Sequence, residues 1–328
     1  MPSPLRSASA RRLLDNRVVD SFSGEIKRRA SEIGFHNVGI VPAEPLGEER
    51  TRLEGWLARG FHGQMSWMAR EPDKRTDPCL LFPEARSVIV ATLNYFTDHQ
   101  HEDNNKKGKL SRYSWGDDYH DVVREKLSEL LAWIRTQEPA AEGKICVDTS
   151  PMMDKAWAVR AGLGWLGKHS NLITTEVGSW VFIGEILLNL ELEYDTQTVD
   201  DYCGTCTACL DACPTNAIVE PYVVDSRKCI SYATIELRDE NLPDETAANL
   251  NGWLYGCDIC QDVCPWNRFE AQTTESRFEP RIGETSLDLT AIAMMEHKDY
   301  VTRFRGSSMK RSKLSGLKRN AKAILENS

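Results

Sequence analysis

A cysteine-rich run starts at Cys203 and reads Cys203-Gly-Thr-Cys206-Thr-Ala-Cys209-Leu-Asp-Ala-Cys213-Pro214. Its spacing, C-x2-C-x2-C-x3-C-P, is the one with which bacterial ferredoxins bind [4Fe–4S] clusters. In proteins with two such clusters, the fourth cysteine of a run ligates the other cluster. The proline after that cysteine removes a backbone N–H and bends the chain back toward a second site. The run therefore predicts a module that holds two clusters.

A second run, Cys257-Asp-Ile-Cys260-Gln-Asp-Val-Cys264-Pro265, lacks the first cysteine of the pattern, because Leu254 stands at that position. Cys229 lies between the two runs and can supply the missing thiolate. With interleaved ligation, one cluster takes Cys203, Cys206, Cys209 and Cys264, and the other takes Cys213, Cys229, Cys257 and Cys260. A module of this kind moves electrons one at a time.

Other uses of cysteine fit this pattern less well. Structural zinc sites pair C-x2-C units across a longer gap in sets of four, and disulfide frameworks are typical of small secreted domains. Cys79 and Cys146 lie outside the runs, and we expect both to be small buried hydrophobic residues. Thiolate clusters and an N-terminus without a secretory apolar segment predict a reducing, cytoplasmic compartment.

The chain has 328 residues and a net charge of −9. That length suits about two domains, and no apolar run reaches the roughly 18 residues of a membrane helix. The acidic average argues against indiscriminate nucleic-acid binding. One segment departs from this average, and we call it the basic tail: it carries, without an acidic interruption, Arg303, Arg305, Lys310, Arg311, Lys313, Lys318, Arg319 and Lys322. Composition alone leaves open whether the basic tail is a solvated surface or a contact for nucleic-acid phosphates.

Helical and strand patterns alternate without a regular βαβ repeat, which predicts an α+β fold. Apolar residues at every third or fourth position predict helices over 18–33, 48–59 and 121–135. Strands are predicted over 38–41, 87–95, 144–147 and 179–190. We expect a mobile loop over 98–109, a helix that begins at Ser150 and Pro151, and a helix near 317–325 capped by Ser315.

Four segments follow from these patterns. They are a flexible leader (1–17), an α+β domain (18–200), the iron–sulfur domain (201–267) and a helical C-terminal segment with the basic tail (268–328).

Two patterns look like cofactor motifs but break their rules. Gly162-Leu-Gly164-Trp-Leu-Gly167 matches G-x-G-x-x-G, but a predicted helix precedes it, whereas a dinucleotide site needs a strand before and a helix after. A glycine-rich loop that lets the backbone approach a large ligand stays open. Asp118-Tyr-His120 begins like the corrinoid motif D-x-H-x-x-G, but Val123 stands where the motif requires glycine. We therefore expect His120 to be a surface residue at a helix N-terminus.

Asp148 follows a short predicted strand and precedes a turn. An aspartate at such a place commonly accepts hydrogen bonds from turn amides. A catalytic role is the alternative, and the local sequence leaves both open.

The order of several further motifs resembles that of the epoxyqueuosine reductase family. They are Arg112-Tyr-Ser-Trp115-Gly-Asp-Asp-Tyr119-His120-Asp121, Val147-Asp148-Thr149, Ala161-Gly-Leu-Gly-Trp-Leu-Gly-Lys168, Cys229-Ile-Ser231-Tyr232 and Tyr255-Gly-Cys257-Asp258-Ile-Cys260. Phe304-Arg305-Gly306-Ser307 and Arg319-Asn320-Ala321 are also similar to that family. The resemblance covers nearly the whole chain.

The resemblance implies an oxidoreductase with a nitroreductase-like cobalamin-binding domain and a ferredoxin-like module. Members of the family act in the cytoplasm and reduce epoxyqueuosine at the wobble position of tRNA to queuosine, with loss of water. They use two [4Fe–4S] clusters and cobalamin without a protein axial ligand. The implied partners are tRNA that carries epoxyqueuosine and a one-electron donor such as flavodoxin or ferredoxin. No membrane is implied, and the protein is expected to be a monomer.

The same resemblance assigns roles to individual residues. The V-D-T motif makes Asp148 the general acid that protonates the leaving epoxide oxygen, and burial is expected to raise its pKa for that task. Cobalamin contacts carry over to Arg75, Ser111, Asp148, Leu172, Ile183, Ser231 and Asp258. Arg305 and Lys310 become the expected contacts for tRNA phosphates.

Two other functions compete with this one. A corrinoid and iron–sulfur reductase of the dehalogenase type would act on a small molecule, but such enzymes are typically exported, and this N-terminus has no twin-arginine leader. A ferredoxin-type electron-transfer protein would bind no corrinoid and would not need Asp148.

Overall fold

The computed structural model describes residues 21–102 and 104–327, so the predicted leader lies outside the described residues. The α-helices are α1 (Phe22–Ile33), α2 (Gly47–Ala58), α3 (Pro72–Thr76), α4 (Tyr119–Gln137), α5 (Asp154–Arg160), α6 (Ala208–Asp211), α7 (Ile230–Ile235), α8 (Asp244–Ala248), α9 (Ile259–Asp262), α10 (Leu289–Met294), α11 (His297–Arg303) and α12 (Lys313–Glu326). The strands are β1 (Asn37–Pro42), β2 (Ser87–Asn94), β3 (Lys107–Leu110), β4 (Gly143–Cys146), β5 (Trp165–Leu166), β6 (Leu172–Ile173), β7 (Val181–Leu188), β8 (Ile218–Glu220), β9 (Val223–Val224), β10 (Trp253–Tyr255) and β11 (Ser286–Asp288).

The N-terminal half is built around a four-stranded antiparallel sheet in the order β1-β2-β7-β4. Every residue of β2 is buried, and successive side chains of a strand point to opposite faces. Ile89 and Ala91 therefore pack with α1 and α4 in one core, while Val88 and Val90 pack with Trp157 of α5 in another. Helices thus cover both faces of the sheet, and the predicted α+β fold is confirmed.

A second sheet joins distant parts of the chain. Strand β3 pairs parallel with β10 and antiparallel with β11. A third apolar core lies here and includes Leu110, Leu254, Leu289 and Leu317. The expectation of a mobile loop over 98–109 is therefore wrong at its end, because residues from Lys107 onward belong to a strand whose partners lie far away in sequence.

Two predicted helix starts are also wrong. The helix expected at Ser150 and Pro151 begins at Asp154, and Ser315 lies inside α12, whose N-cap is Ser312. By contrast, α1 ends at Gly34 with φ 104°, the left-handed conformation that glycine adopts without steric cost.

Within residues 21–102 and 104–327, no helix is both long and apolar enough to cross a membrane.

Candidate active site

A cavity of about 560 Å³ is lined by residues of the first sheet, of α4, of the segment that follows the glycine-rich loop and of both cysteine runs. Six of the predicted cofactor contacts line it: Ser111, Asp148, Leu172, Ile183, Ser231 and Asp258. Arg75 is not part of the lining. Its buried side chain donates a hydrogen bond to the carbonyl of Trp67 at 3.0 Å. Burial lowers the pKa of Arg75, and the charge of Asp154, a residue of the cavity lining, partly offsets that shift.

Ser111 and Asp258 form one side of this cavity. Asp258 is 2 % exposed; it accepts a hydrogen bond from the hydroxyl of Ser111 and one from the backbone N–H of Arg112 at 2.7 Å. Burial raises the pKa of Asp258 to about 7, although these two hydrogen bonds oppose the shift.

The eight cysteines separate into two sets. Cys213, Cys229, Cys257 and Cys260 all line the cavity, and we call them the inner set. The other four are Cys203, Cys206, Cys209 and Cys264. Burial raises the pKa of Cys209 to about 11, and the nearby thiols of the other three raise it as well. We call these four residues the outer set. Of the two sets, only Cys206 is classed as exposed.

These two sets are the ones that interleaved ligation predicts. No group of three or more His, Cys, Asp or Glu side chains in the described part of the chain could hold a metal ion. That observation concerns single ions. Four thiols that share a cubane cluster each bind a different iron atom, so they need not converge on one point.

Asp148 lies at the mouth of the cavity, two residues after the end of β4. Its backbone φ is 43°, in the left-handed region that aspartate enters more easily than most residues do. Its Oδ2 accepts a hydrogen bond from the hydroxyl of Tyr119 at 2.7 Å and lies 3.0 Å from Nε2 of His120. The ring of Tyr119 stacks on Phe182 of β7 at 4.4 Å.

His120 lies in the first turn of α4, as predicted, but it is only partly at the surface. Its side chain is 21 % exposed, and its Nδ1 lies 2.7 Å from Oδ1 of Asp118 while its Nε2 faces Asp148. Both ring nitrogens therefore face carboxylates, and an imidazole satisfies two acceptors only when both nitrogens carry protons. Asp118 also accepts from the backbone N–H of His120 at 3.1 Å and so caps α4.

The charges of this group follow from its contacts. Burial lowers the pKa of His120, but its hydrogen bonds to Asp118 and Asp148 outweigh burial and raise the pKa to about 9. Burial raises the pKa of Asp148, but the hydrogen bonds from His120 and Tyr119 prevail, so the pKa lies below its usual value. The expected net rise in the pKa of Asp148 is therefore wrong, because the two hydrogen bonds outweigh the effect of burial. At neutral pH the proton resides on His120 and Asp148 is ionised.

The glycine-rich loop packs against protein backbone. A Cβ on Gly162, where φ is 69°, would lie 2.3 Å from the carbonyl oxygen of Gln197, and a Cβ on Gly164 would lie 2.1 Å from that of Ile173. The described residues after the loop form the short strand β6 and no helix, so the loop lacks the strand-before, helix-after context of a dinucleotide site.

Part of the basic tail packs against Asp118 and Tyr255, which adjoin the lining residues Tyr119 and Tyr113. The carbonyl of Gly306 accepts from the backbone N–H of Asp118 at 2.9 Å, and the carbonyl of Ser308 accepts from the hydroxyl of Tyr255 at 2.8 Å. Arg305 and Lys310, on either side of this segment, are exposed. Arg319 differs, because it donates to the carbonyls of Ala233, Leu237 and Asp239 and holds the local backbone together.

Sequence reasoning missed several polar residues of the cavity lining, among them Tyr119, Asp154, Lys155 and His169. Asp118-Tyr-His120 was a visible signal, since an aspartate at a helix N-cap stood beside a histidine. Nothing local linked that signal to Asp148.

Comparison with known proteins identifies relatives of this whole arrangement. Residues 75–149 match the family model "Epoxyqueuosine reductase QueG, DUF1730", and residues 202–267 match "4Fe-4S double cluster binding domain". The chain is 46 % identical over 308 residues to the epoxyqueuosine reductase of Atelocyanobacterium thalassa (isolate ALOHA), covering 93 % of this chain and 99 % of that protein.

Solved structures of epoxyqueuosine reductases have a similar fold over most of this chain. A crystal structure of epoxyqueuosine reductase with an epoxyqueuosine-modified tRNA-Tyr stem loop has a TM-score of 0.85 at 32 % identity and covers 93 % of this chain and 80 % of that one. The Bacillus subtilis epoxyqueuosine reductase, solved with its catalytic aspartate loop swung out of the active site, has a TM-score of 0.84 at 30 % identity and covers 93 % and 81 %.

Proposed function

This chain belongs to the epoxyqueuosine reductase family, and we propose that it reduces epoxyqueuosine in tRNA to queuosine. The reaction breaks both C–O bonds of the epoxide, forms a C=C bond and releases the oxygen as water. It consumes two electrons and two protons. The chain must therefore gather an electron path, a proton path and an RNA-binding surface around one cavity.

The cavity fits a large polar cofactor such as cobalamin. Its lining combines apolar side chains (Leu172, Ile183) with buried polar atoms, and Nε2 of His169 and Oδ1 of Asp154 have no hydrogen-bond partner among the described residues. Such atoms are costly to bury unless a ligand or water pairs with them. Ser111, Ser231 and Asp258 would hold the cofactor together with these residues. When bound, cobalamin supplies two-electron cobalt chemistry, and the [4Fe–4S] clusters supply the electrons singly.

The two cysteine sets give this route a direction. The inner set lines the cavity, and the outer set contains the exposed Cys206. We propose that the eight thiols ligate the two clusters, with electrons entering on the Cys206 side from a carrier such as flavodoxin or ferredoxin.

The proton for the epoxide oxygen is held by Asp148 and His120. An unprotonated alkoxide leaves poorly, so an acid must lie within hydrogen-bond reach of the reacting oxygen. At neutral pH the labile proton sits on Nε2 of His120, and Oδ2 of Asp148 both faces that nitrogen and accepts from Tyr119. Asp148 thus passes on a proton that His120 stores, while Tyr119 fixes the orientation of the carboxylate.

The basic tail supplies the contact for tRNA. Arg305 and Lys310 lie beside the cavity mouth, where the phosphates of an anticodon loop would surround an everted wobble nucleotide. The protein would act as a monomer in the cytoplasm, where its tRNA substrate is found.

One observation carries this proposal: the inner cysteine set and Asp148, which contacts His120, line one cavity. Anaerobic protein, titanium(III) citrate and epoxyqueuosine-bearing tRNA would be incubated with and without cobalamin, and the nucleosides analysed by mass spectrometry. We expect cobalamin-dependent loss of one oxygen atom. No conversion by protein with a full iron content would refute the proposal.

A further inference from the structure

Two carboxyl groups, Asp154 at the cavity lining and Glu185 behind it, have no role yet in proton transfer. Glu185 sits in the middle of β7, directly opposite Cys146 of β4, and its side chain is 0 % exposed. Asp154 is the first residue of α5 and lines the cavity. The two carboxyl groups lie within hydrogen-bond reach of each other.

The hydrogen bonds of this pair are incomplete. Among residues 21–102 and 104–327, no N–H or O–H group donates to either oxygen of Glu185 or to Oδ1 of Asp154. Two ionised carboxylates repel each other strongly in a buried site without a cation between them, so the doubly ionised pair is a high-energy state. The contact is stable only when one of the two carries a proton, which then forms the hydrogen bond between them.

The electrostatics agree with the contact. Burial raises the pKa of Asp154 to about 7, and the charge of Asp148 raises it as well. Burial and the neighbouring Asp154 raise the pKa of Glu185 well above its usual value. The titratable or charged groups that face the pair from adjoining elements are Arg75 on α3, Cys146 on β4, Asp148 after β4, and Lys155 on α5.

The reaction needs one proton more than the Asp148–His120 group can give. Each turnover consumes two protons, and that group holds one labile proton at neutral pH. Burial raises the pKa of Tyr119 well above 10, so its hydroxyl keeps its proton. The ammonium of Lys155 donates to the carbonyl of Ser170 at 2.7 Å and to Oδ1 of Asn171 at 2.9 Å. Its protons are therefore engaged in holding residues 170–171 in place.

We propose that Asp154 and Glu185 share a proton and act as a reserve that recharges Asp148 and His120 within each turnover. This inference rests on the proposed function. After the first proton reaches the epoxide oxygen, the shared proton moves from Asp154 to Asp148. A water molecule in the cavity, hydrogen-bonded to both carboxyl groups, carries it. The second proton then leaves with the oxygen as water, and solvent refills the pair once the product departs.

Asp154 and Glu185 act on the substrate through Asp148. The test compares Glu185→Gln and Asp154→Asn with wild type and with Glu142→Gln, which alters an exposed carboxyl just before β4. Glutamine has the shape of a protonated glutamate, so unfolding temperature and iron content should stay unchanged. Single-turnover conversion of epoxyqueuosine-bearing tRNA would be followed by rapid quench with cobalamin and titanium(III) citrate in excess.

We expect the rate to fall about tenfold in both variants and then to rise with the concentration of acetic acid at fixed pH and ionic strength, because an external acid replaces the reserve. Wild type and Glu142→Gln should show no such dependence. A wild-type rate in both variants would overturn the inference. So would a slow rate that acetic acid does not change, or one that more cobalamin restores, because both outcomes indicate a structural or cofactor-binding role. Failure of the wild-type protein to convert tRNA would instead refute the proposed function.

Discussion

The imidazole Nε2 of His120 lies 3.0 Å from Oδ2 of Asp148, although 28 positions separate the two residues. Helix α4 supplies the histidine at its first turn, and the turn after β4 supplies the aspartate. The contact changes the expected acid: the carboxyl of Asp148 is ionised at neutral pH, and the histidine holds the proton.

This contact predicts the pH dependence of turnover. The pKa of His120 is raised to about 9, so the imidazolium persists through neutrality and is lost as pH rises through about 9. We expect the single-turnover rate to be level through neutrality and to fall tenfold per pH unit above about 9. The rate would be measured with saturating cobalamin. In His120→Gln this upper limb should disappear and the rate should be lower throughout; an unchanged upper limb would contradict the assignment.

Substitution of Asp148 separates catalysis from folding. Asparagine tolerates the left-handed backbone at this position as aspartate does, so Asp148→Asn should preserve the fold and both clusters. We expect turnover on modified tRNA to fall by about 10²–10⁴-fold, the usual effect of losing a positioned acid. Nucleoside mass spectrometry would report the rate, with iron content and the visible spectrum as controls. Full activity with intact clusters would exclude Asp148 as the proton donor.

Much of the fold was visible in the sequence because it depends on local patterns. The apolar, β-branched run in β2 predicts a buried strand, and Leu127, Leu130 and Leu131 predict the buried face of α4. Strand β3 escaped prediction because its sequence, Lys107-Gly-Lys-Leu110, is polar, and its pairing depends on β10 and β11, which lie more than a hundred positions away. Local propensity cannot report such a pairing.

In the candidate site, too, some features follow from local sequence and others depend on tertiary contacts. The cysteine spacing predicts both thiol sets, because each run of a two-cluster module gives its fourth cysteine to the other cluster. The environment of His120 depended on Asp148, which tertiary folding brings to it, and the pKa of each depends on the other. Glu185 did carry a signal, as the single charged residue within an apolar strand pattern; its partner Asp154 could not be inferred without the packing of α5 on β7.

The outer cysteine set allows a direct test of the electron route. Cys206→Ser should remove the outer cluster, lowering iron from about eight to about four atoms per chain, and it should abolish turnover driven by a protein electron carrier. Cys79→Ser is the matched control: Cys79 packs against the core around β2 and should leave the iron content unchanged. Iron and sulfide analysis with electron paramagnetic resonance would check both. Retention of both clusters in Cys206→Ser would show that this cysteine is not a ligand.

The basic tail predicts how binding responds to salt. Arg305 and Lys310 are exposed beside the cavity mouth, and each phosphate contact should contribute close to one unit to the slope of log affinity against log salt concentration. Arg305→Glu and Lys310→Glu should each weaken tRNA binding and lower that slope by about one, measured by fluorescence anisotropy with an anticodon stem loop. Lys298→Glu alters a similarly exposed lysine on α11 that pairs with Glu296 at 3.1 Å, and it should leave the slope unchanged. Equal effects of all three substitutions would indicate that net charge, rather than the position of the tail at the cavity mouth, governs RNA binding.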